Sequence, residues 1–251
     1  MDISTLDLSG LSFQNAATTM VVNATTALNG ASFLPATAVT ITGSANADTI
    51  TGTANADTLG GGGGADTLNG VAGADNIDGG AGVDTITGGT GADTITTGAG
   101  ADIVSVAAGD ASAGVNATTA STVGFDTITD FTVGTVASGG DQIDDAGGAC
   151  TIAANAVKTA VAGTASIAGG LASFHADDDT LAEQIIAAEA AMANAAAREA
   201  VMFQSGSDAY VLISAADGLS ANDSLIKLTG IDTTATTSDV LTLDTGNLII
   251  T

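Results

Sequence analysis

The feature that most constrains the fold is a set of aspartates that recur every nine residues. They are Asp48, Asp57, Asp66, Asp75, Asp84, Asp93 and Asp102. Two positions after each of them stands an apolar residue, in order Ile50, Leu59, Leu68, Ile77, Ile86, Ile95 and Val104. Glycines precede the aspartates at fixed offsets, as in Gly79-Gly80-Ala81-Gly82-Val83-Asp84. So short and regular a period predicts stacked copies of one small structural unit.

Each unit is expected to form a glycine-rich turn of six residues followed by a strand of three. Glycine adopts the positive φ angles that tight turns require, and the apolar residue of each strand points inward. Two units then make one coil. We therefore predict a parallel β-roll, which is a flat β-solenoid. One of its edges carries Asp48, Asp66, Asp84 and Asp102, and the other edge carries Asp57, Asp75 and Asp93.

The charge balance of the chain indicates a cationic partner. The 251 residues include 28 acidic and three basic side chains, for a formal net charge of −25. Nucleic acids and anionic membrane surfaces both require basic patches, so neither is an expected partner. The sequence contains no stretch of about 18 apolar residues, so no membrane-inserted helix is expected. A divalent metal ion is the simplest partner that neutralises the carboxylates.

Among divalent ions, Ca²⁺ suits this pattern best. It takes six to eight oxygen ligands and accepts a mixture of carboxylates and backbone carbonyls, whereas Mg²⁺ demands a smaller octahedron. We expect about five Ca²⁺ ions between successive coils, each held by oxygens from two turns on one edge. The predicted ligands are the seven aspartates of the ladder and the turn glycines Gly61, Gly62, Gly64, Gly79, Gly80, Gly82, Gly88, Gly89, Gly91, Gly98 and Gly100.

Weaker candidates and weaker turns flank this set. Asp126, Asp130, Asp141 and Asp144 lie in segments that echo the repeat and are secondary candidates for metal binding. The first two repeats carry Ser44-Ala45-Asn46 and Thr53-Ala54-Asn55 in place of glycines, and the fourth carries Val71. Because Asn tolerates left-handed φ, these turns are expected to form with poorer metal sites. The alternative is a glycine-rich linker whose aspartates are solvated. A linker would have no reason to keep an apolar residue two positions after each aspartate.

The chain divides into three predicted regions. Residues 1–42 are expected to form short strands, at 6–8 and 39–41 for example, that lead into a roll over 43–106. Residues 107–251 are expected to form a β-rich domain. It contains one helix over 180–200, because Thr180 and Glu183 form a capping box, a hairpin of strands 201–204 and 209–213, and strands at 224–228 and 240–243. The fold class is therefore mainly β with one α-helix.

The repeat has the pattern G-G-x-G-x-D-x-U-x, where U is a large apolar residue. With this pattern the chain resembles the RTX family of secreted bacterial proteins. From about residue 39 to 251 it is most similar to the C-terminal region of RTX-type surface-layer proteins. That likeness depends on an alanine-rich helix followed by Phe203-Gln204-Ser205-Gly206-Ser207-Asp208-Ala209-Tyr210-Val211 and Ser224-Leu225-Ile226-Lys227-Leu228-Thr229-Gly230.

The resemblance implies a location and a route. It implies export by a type I secretion apparatus that reads an uncleaved C-terminal signal, here the apolar tail 248–251, and folding on Ca²⁺ outside the cell or on its surface. The N-terminus has no basic region and no apolar run, so an N-terminal signal peptide is not expected.

Three functions are compatible with these features. We expect first a structural protein that self-assembles into a surface layer or extracellular matrix, with other copies of itself and a cell-surface polysaccharide as partners. The second is a secretion and stability module of an exported hydrolase or toxin. The third is an adhesin or an ice-binding solenoid, on outward threonines whose rows Asn69, Asn76 and Asp78 interrupt. No enzyme is expected, since the single histidine, His175, precedes a helix and Cys150 has apolar character.

Overall fold

The protein is described here by a computed structural model. The structure describes residues 20–23, 31–32, 38–107, 125–146, 150–152, 165–168, 171–173, 180–192, 198–214, 223–231, 241–244 and 247–250. The predicted strand at 6–8 and the residue His175 lie outside these ranges. No helix in the described ranges is long and apolar enough to cross a membrane.

The repeat folds into two parallel sheets that face each other, with successive strands alternating between them. These strands are β1 (Met20–Asn23), β2 (Ala31–Ser32), β3 (Val39–Thr42), β4 (Thr49–Thr51), β5 (Thr58–Gly63), β6 (Thr67–Ala72), β7 (Asn76–Ala81), β8 (Thr85–Thr90), β9 (Thr94–Thr96), β10 (Ile103–Val106), β11 (Asp126–Ile128) and β12 (Gln142–Asp145). Odd-numbered strands form the first sheet and even-numbered strands the second. The predicted parallel β-roll is confirmed.

The apolar position of each repeat forms the core of the roll. Ile50 is in register with Leu68, and Leu68 with Ile86, so the same position stacks directly from coil to coil. All seven of these residues are at most 1% exposed. Burial of a complete Leu or Ile side chain contributes about 1.5–3 kcal/mol relative to exposure, so this stack is a main source of stability.

The strands at the centre of the roll are longer than predicted. Strands β5 to β8 have six residues each and extend into the glycine turns. The reason is that stacked turns also pair: Gly62 is in register with Gly80, and Gly63 with Ala81. Because each turn lies directly over its equivalent in the next coil, its backbone continues the hydrogen-bonded ladder.

The two sheets also continue beyond residue 106, where the roll was predicted to end. Strand β11 adds to β9 with Thr127 in register with Thr94, and β12 adds to β10 with Gln142 in register with Ile103. A 3₁₀ turn, Val136–Ser138, lies between β11 and β12. Residues 125–145 therefore complete a further coil of the roll.

The C-terminal elements close this end of the roll. They are β13 (Cys150–Ile152), β14 (Ser166–Ala168), β15 (Leu171–Ser173), α1 (Leu181–Ala191), β16 (Arg198–Ser205), β17 (Asp208–Ser214), β18 (Ser224–Leu228), β19 (Leu241–Asp244) and β20 (Asn247–Ile250). Strand β18 pairs parallel with β11 in the first sheet, and β20 pairs antiparallel with β12 in the second. The predicted hairpin is confirmed as β16 and β17, with Ser205 opposite Asp208.

Helix α1 is shorter than predicted. It begins with the capping box: the backbone N–H of Glu183 donates to Thr180 Oγ1 at 3.3 Å, and Thr180 N–H donates to Glu183 Oε2 at 3.1 Å. The prediction that it reaches residue 200 was wrong, because Arg198–Ser205 is strand β16. That strand pairs with β17 along its length, and this pairing outweighs the helix propensity of the alanines before it.

Alternate residues of β16 to β18 serve two different cores. Met202, Val211 and Ile226 belong to the core of the roll. Phe203 and Leu212 face the other way and pack with Ile185 of helix α1 in a second apolar cluster. The helix thus covers the outer face of the first sheet where the C-terminal strands extend it.

Candidate metal centre

The aspartates of the repeat form two hydrogen-bonded ladders, one on each edge of the roll. In each ladder, the backbone N–H of one aspartate donates to Oδ1 of the aspartate 18 residues later. On the first edge these pairs are Asp48 to Asp66 at 2.7 Å, Asp66 to Asp84 at 2.8 Å and Asp84 to Asp102 at 2.8 Å. On the second edge they are Asp57 to Asp75 at 2.7 Å and Asp75 to Asp93 at 2.8 Å.

Two of the secondary candidates extend these ladders. Asp93 N–H donates to Asp126 Oδ1 at 2.9 Å across 33 residues, and Asp102 N–H donates to Asp141 Oδ1 at 3.0 Å across 39 residues. Asp130 is not part of either ladder, and its Oδ1 accepts a 2.8 Å hydrogen bond from the backbone N–H of Thr97. Of the four secondary candidates, Asp126 and Asp141 therefore occupy ladder positions.

The second carboxylate oxygen distinguishes the glycine-rich turns. Asp66, Asp75, Asp84 and Asp102 are at most 2% exposed, and the Oδ2 atom of each has no hydrogen-bond donor among the described residues. A buried carboxylate oxygen without a donor is costly, by about 1–3 kcal/mol or more for a charged group. A proton or a cation bound at each of these Oδ2 atoms would therefore stabilise the folded roll.

Backbone carbonyls lie close to the same oxygens. A Cβ atom on Gly70 would collide with Asp75 Oδ2 and with the carbonyl oxygen of Gly88. At Gly61, the equivalent position is crowded by Asp66 Oδ2 and the carbonyl of Gly79. A carboxylate oxygen and a carbonyl oxygen of the next coil thus converge beside a residue that has no side chain.

This set of donors fits Ca²⁺. Within the described ranges, no three His, Cys, Asp or Glu side chains converge into a metal cluster, so a metal between coils must take backbone oxygens as well as carboxylates. Ca²⁺ accepts such mixed oxygen ligation. When bound, it would supply the positive charge that offsets the buried aspartates. Asp66 and Asp84 with the glycine carbonyls beside them would hold it.

The electrostatics of the metal-free ladder are unfavourable. Burial raises the pKa of Asp66 to about 6, and the neighbouring Asp48 and Asp84 add to the rise. Burial likewise raises the pKa of Asp75 to about 7 and that of Asp102 to about 6. The backbone hydrogen bond at Oδ1 opposes these shifts without cancelling them. Burial in the metal-free roll therefore disfavours the charged form of these aspartates.

The backbone conformation of the turns is also specific. Gly80 has φ +98°, and the residue at the equivalent position of the fourth repeat, Val71, has φ +83°. A β-branched residue strongly disfavours positive φ. Val71 is therefore strained, in agreement with its prediction as a departure from the pattern.

Comparison with known families agrees with this geometry. The model of the RTX calcium-binding nonapeptide repeat matches residues 40–68 and 78–110. These residues are RTX repeats. RTX repeats bind Ca²⁺ between the coils of a β-roll, and the proteins that carry them are generally secreted. The gap in the match, residues 69–77, contains the strained Val71. No curated protein matches the chain.

Sequence reasoning missed two contributors to the RTX turns. Ser44 and Thr53 each donate to the aspartate four residues later, Asp48 and Asp57 respectively. The signal that could have identified them is a hydroxyl residue four positions before the aspartate in both of the repeats that lack the glycines. The assignment of individual aspartates and glycines as ligands stays a prediction.

Proposed function

We propose that this chain is a structural protein that folds when it binds Ca²⁺ outside the cell and then self-assembles into a surface layer or extracellular matrix. Calcium binding, the roll and the association of RTX repeats with secretion come from the findings above. Self-assembly, the type I apparatus and a cell-surface polysaccharide as partners, and the absence of a catalytic role are our proposals.

Calcium acts in this proposal as the folding signal. Stacking the coils buries Asp66 and Asp84 at neighbouring positions of one ladder, and both pKa values are raised by burial. With a formal net charge of −25, the metal-free chain gains little from compaction. A cation that binds only the stacked form stabilises it by mass action. The chain would stay unfolded where Ca²⁺ is scarce and would fold where it is abundant.

The observation that carries the assembly proposal is the pair of edge strands, β1 and β2, with which the described part of the roll begins. In the part of the chain that the structure describes, β1 pairs only with β3, and β2 only with β4. Each of these edge strands can therefore offer backbone donors and acceptors to a strand of another copy. Exposed strand edges are templates for pairing between chains, and both edges lie at the same end of a stackable solenoid.

The proposed role is not catalytic because the ladder carboxylates bridge coils. Asp66, Asp75 and Asp84 are buried between stacked turns, where they are suited to holding ions and unsuited to meeting a substrate. A calcium-folding module of an exported hydrolase or toxin is the alternative, and the assembly experiment separates the two functions.

Electron microscopy and light scattering of the purified chain, with and without Ca²⁺, test the proposal. Ordered sheets or filaments should form only with Ca²⁺. Substitution of proline for Val21 in β1 and for Ser32 in β2 should reduce assembly, because proline has no N–H to donate. The matched alanine substitutions should assemble normally, and circular dichroism should show a folded roll in both variants. A wild-type chain that stays monomeric at high concentration in Ca²⁺ would contradict the proposal and favour the module.

A further inference from the structure

The first two turns of the roll differ chemically from the later ones. In the first turn, Ser44 donates to Asp48 Oδ2 through its backbone N–H at 2.6 Å and through its hydroxyl at 3.0 Å. In the second turn, Thr53 donates to Asp57 Oδ2 in the same two ways, at 2.5 Å and 3.0 Å. The carboxylate oxygen that has no donor among the described residues at Asp66, Asp75 and Asp84 thus receives two donors in each of these turns.

The rest of each turn orients the hydroxyl toward the carboxylate. The backbone N–H of Asn46 donates to Ser44 Oγ at 3.1 Å, and that of Asn55 donates to Thr53 Oγ1 at 3.1 Å. The hydroxyl oxygen accepts from the asparagine, and its own proton can be donated to the aspartate, whose Oδ2 lies 3.0 Å away in both turns. The same arrangement therefore occurs in two turns with different hydroxyl residues.

The position of the hydroxyl in the turn decides this arrangement. Thr97 stands one position earlier in its turn, and its hydroxyl oxygen lies 3.0 Å from Asp130 Oδ1 and 3.0 Å from Asp141 Oδ2, to either of which it can donate its single proton. Asp102, the aspartate of that same turn, keeps an Oδ2 atom without a donor among the described residues. Of these three hydroxyls, those of Ser44 and Thr53 reach the aspartate of their own turn, four residues later, whereas that of Thr97 contacts Asp141 of the next coil.

We infer that Ser44 and Thr53 take the place of a cation in their turns, so that the first two turns close without Ca²⁺ and the ions are held in the turns from Asp66 to Asp102. A carboxylate oxygen that already accepts an N–H and an O–H has little capacity left for a metal. The roll then has a metal-free first coil and a metal-dependent remainder. This inference depends on calcium binding by the repeats and is independent of self-assembly.

The number of Ca²⁺ ions bound per chain tests the inference. It is measured by atomic emission on the full-length chain after equilibration in saturating Ca²⁺, with circular dichroism to verify the roll. T53G/N55G should bind one ion more than the wild type, and so should S44G/N46G. The control Thr53→Ser keeps the hydroxyl and should bind the wild-type number.

The two glycine variants change separate turns, so one of them still tests the inference if the other does not fold. An unchanged number of ions in either folded glycine variant would overturn the inference.

Discussion

The backbone N–H of Asp66 donates a 2.8 Å hydrogen bond to Oδ1 of Asp84, the aspartate one coil later on the same edge. The other oxygen of Asp84, Oδ2, is buried and has no donor among the described residues. The two oxygens of one carboxylate thus have separate tasks. Oδ1 fixes the stacking of coils, and Oδ2 is available to a metal ion.

Asp84→Asn separates these two tasks. Asparagine keeps an oxygen that can accept from Asp66, but it lacks the charge and the second oxygen. We expect the roll to form in Ca²⁺ with a midpoint about ten- to a hundredfold higher, since a charged interaction of roughly 1.5–3 kcal/mol is lost. A calcium titration followed by circular dichroism measures the midpoint. The control Asp78→Asn removes an exposed carboxylate, and an equal shift in both variants would contradict the assignment.

Gly61→Ala tests whether the turns need the absence of a side chain. The added Cβ would collide with Asp66 Oδ2 and the carbonyl of Gly79. We expect a loss of about 1–3 kcal/mol in the free energy of unfolding, as for other overpacked sites. The neighbouring Gly60→Ala is the control, because its Cβ would meet nothing closer than 3.9 Å. It should change stability by less than about 0.5 kcal/mol. Denaturant unfolding in saturating Ca²⁺ compares the two.

Val71→Gly should stabilise the roll. Val71 has φ +83°, and a left-handed conformation costs a residue with a side chain about 1–2 kcal/mol. Part of the gain is offset by the larger entropy of glycine in the unfolded chain, so we expect a net increase of about 1 kcal/mol. Val83→Gly is the control, since Val83 is 56% exposed and does not have positive φ. A melting temperature that falls as much in V71G as in V83G would show that Val71 is not strained.

Acidification should favour the metal-free roll. In the fold, the pKa of Asp66 is raised to about 6 and that of Asp75 to about 7, from an ordinary value of 3.8. Between roughly pH 4 and pH 7 the folded chain therefore holds more protons than the unfolded chain, and stability falls as pH rises through this range. Circular dichroism of metal-free protein should show more β-structure at pH 4.5 than at pH 8.

In saturating Ca²⁺ the dependence on pH should have the opposite sign. Protons compete with Ca²⁺ for the same carboxylates, so the calcium-loaded roll should be less stable at pH 4.5 than at pH 8. More β-structure at pH 8 than at pH 4.5 in metal-free protein would contradict the raised pKa values.

The C-terminal strand should contribute to the core of the roll. Ile250 is fully buried, and its carbonyl accepts a 2.8 Å hydrogen bond from the N–H of Gly134. Ile250→Ala should lower the free energy of unfolding by about 2–4 kcal/mol, whereas the exposed Val83→Ala should lower it by less than about 0.5 kcal/mol. Denaturant unfolding in Ca²⁺ checks the difference. Equal stabilities would mean that β20 is not part of the core.

The repeating part of the fold was predictable because its information is local. The nine-residue period fixes which side chains point inward, and its doubling fixes which aspartates share an edge, as the bond from Asp48 to Asp66 shows. The hairpin of β16 and β17 was predictable for the same reason, since a short turn joins two apolar runs. Each of these elements is defined by residues fewer than twenty apart.

The rest depends on long-range pairing and on backbone direction. Between Asp93 and Asp126 the spacing within the ladder rises to 33 residues, so the period no longer reveals the next coil. The end of helix α1 was mispredicted because the pairing of Glu199 with Ser214 outweighs local propensity. Ser44 was missed because its role depends on the direction that its backbone N–H takes in the turn, which composition does not specify.

The connections that close the roll also set an order of events in time. Within the repeats, neighbouring coils join residues 18 apart, as Leu59 does with Ile77. At the closing end, Ile128 pairs with Leu228 and Ile143 with Leu248, about 100 residues later in each case. Folding slows as contacts become less local. The coils of the repeats should therefore form quickly once their ions are present. Strands β18 and β20 should then pair with β11 and β12 in a slower, separate kinetic phase.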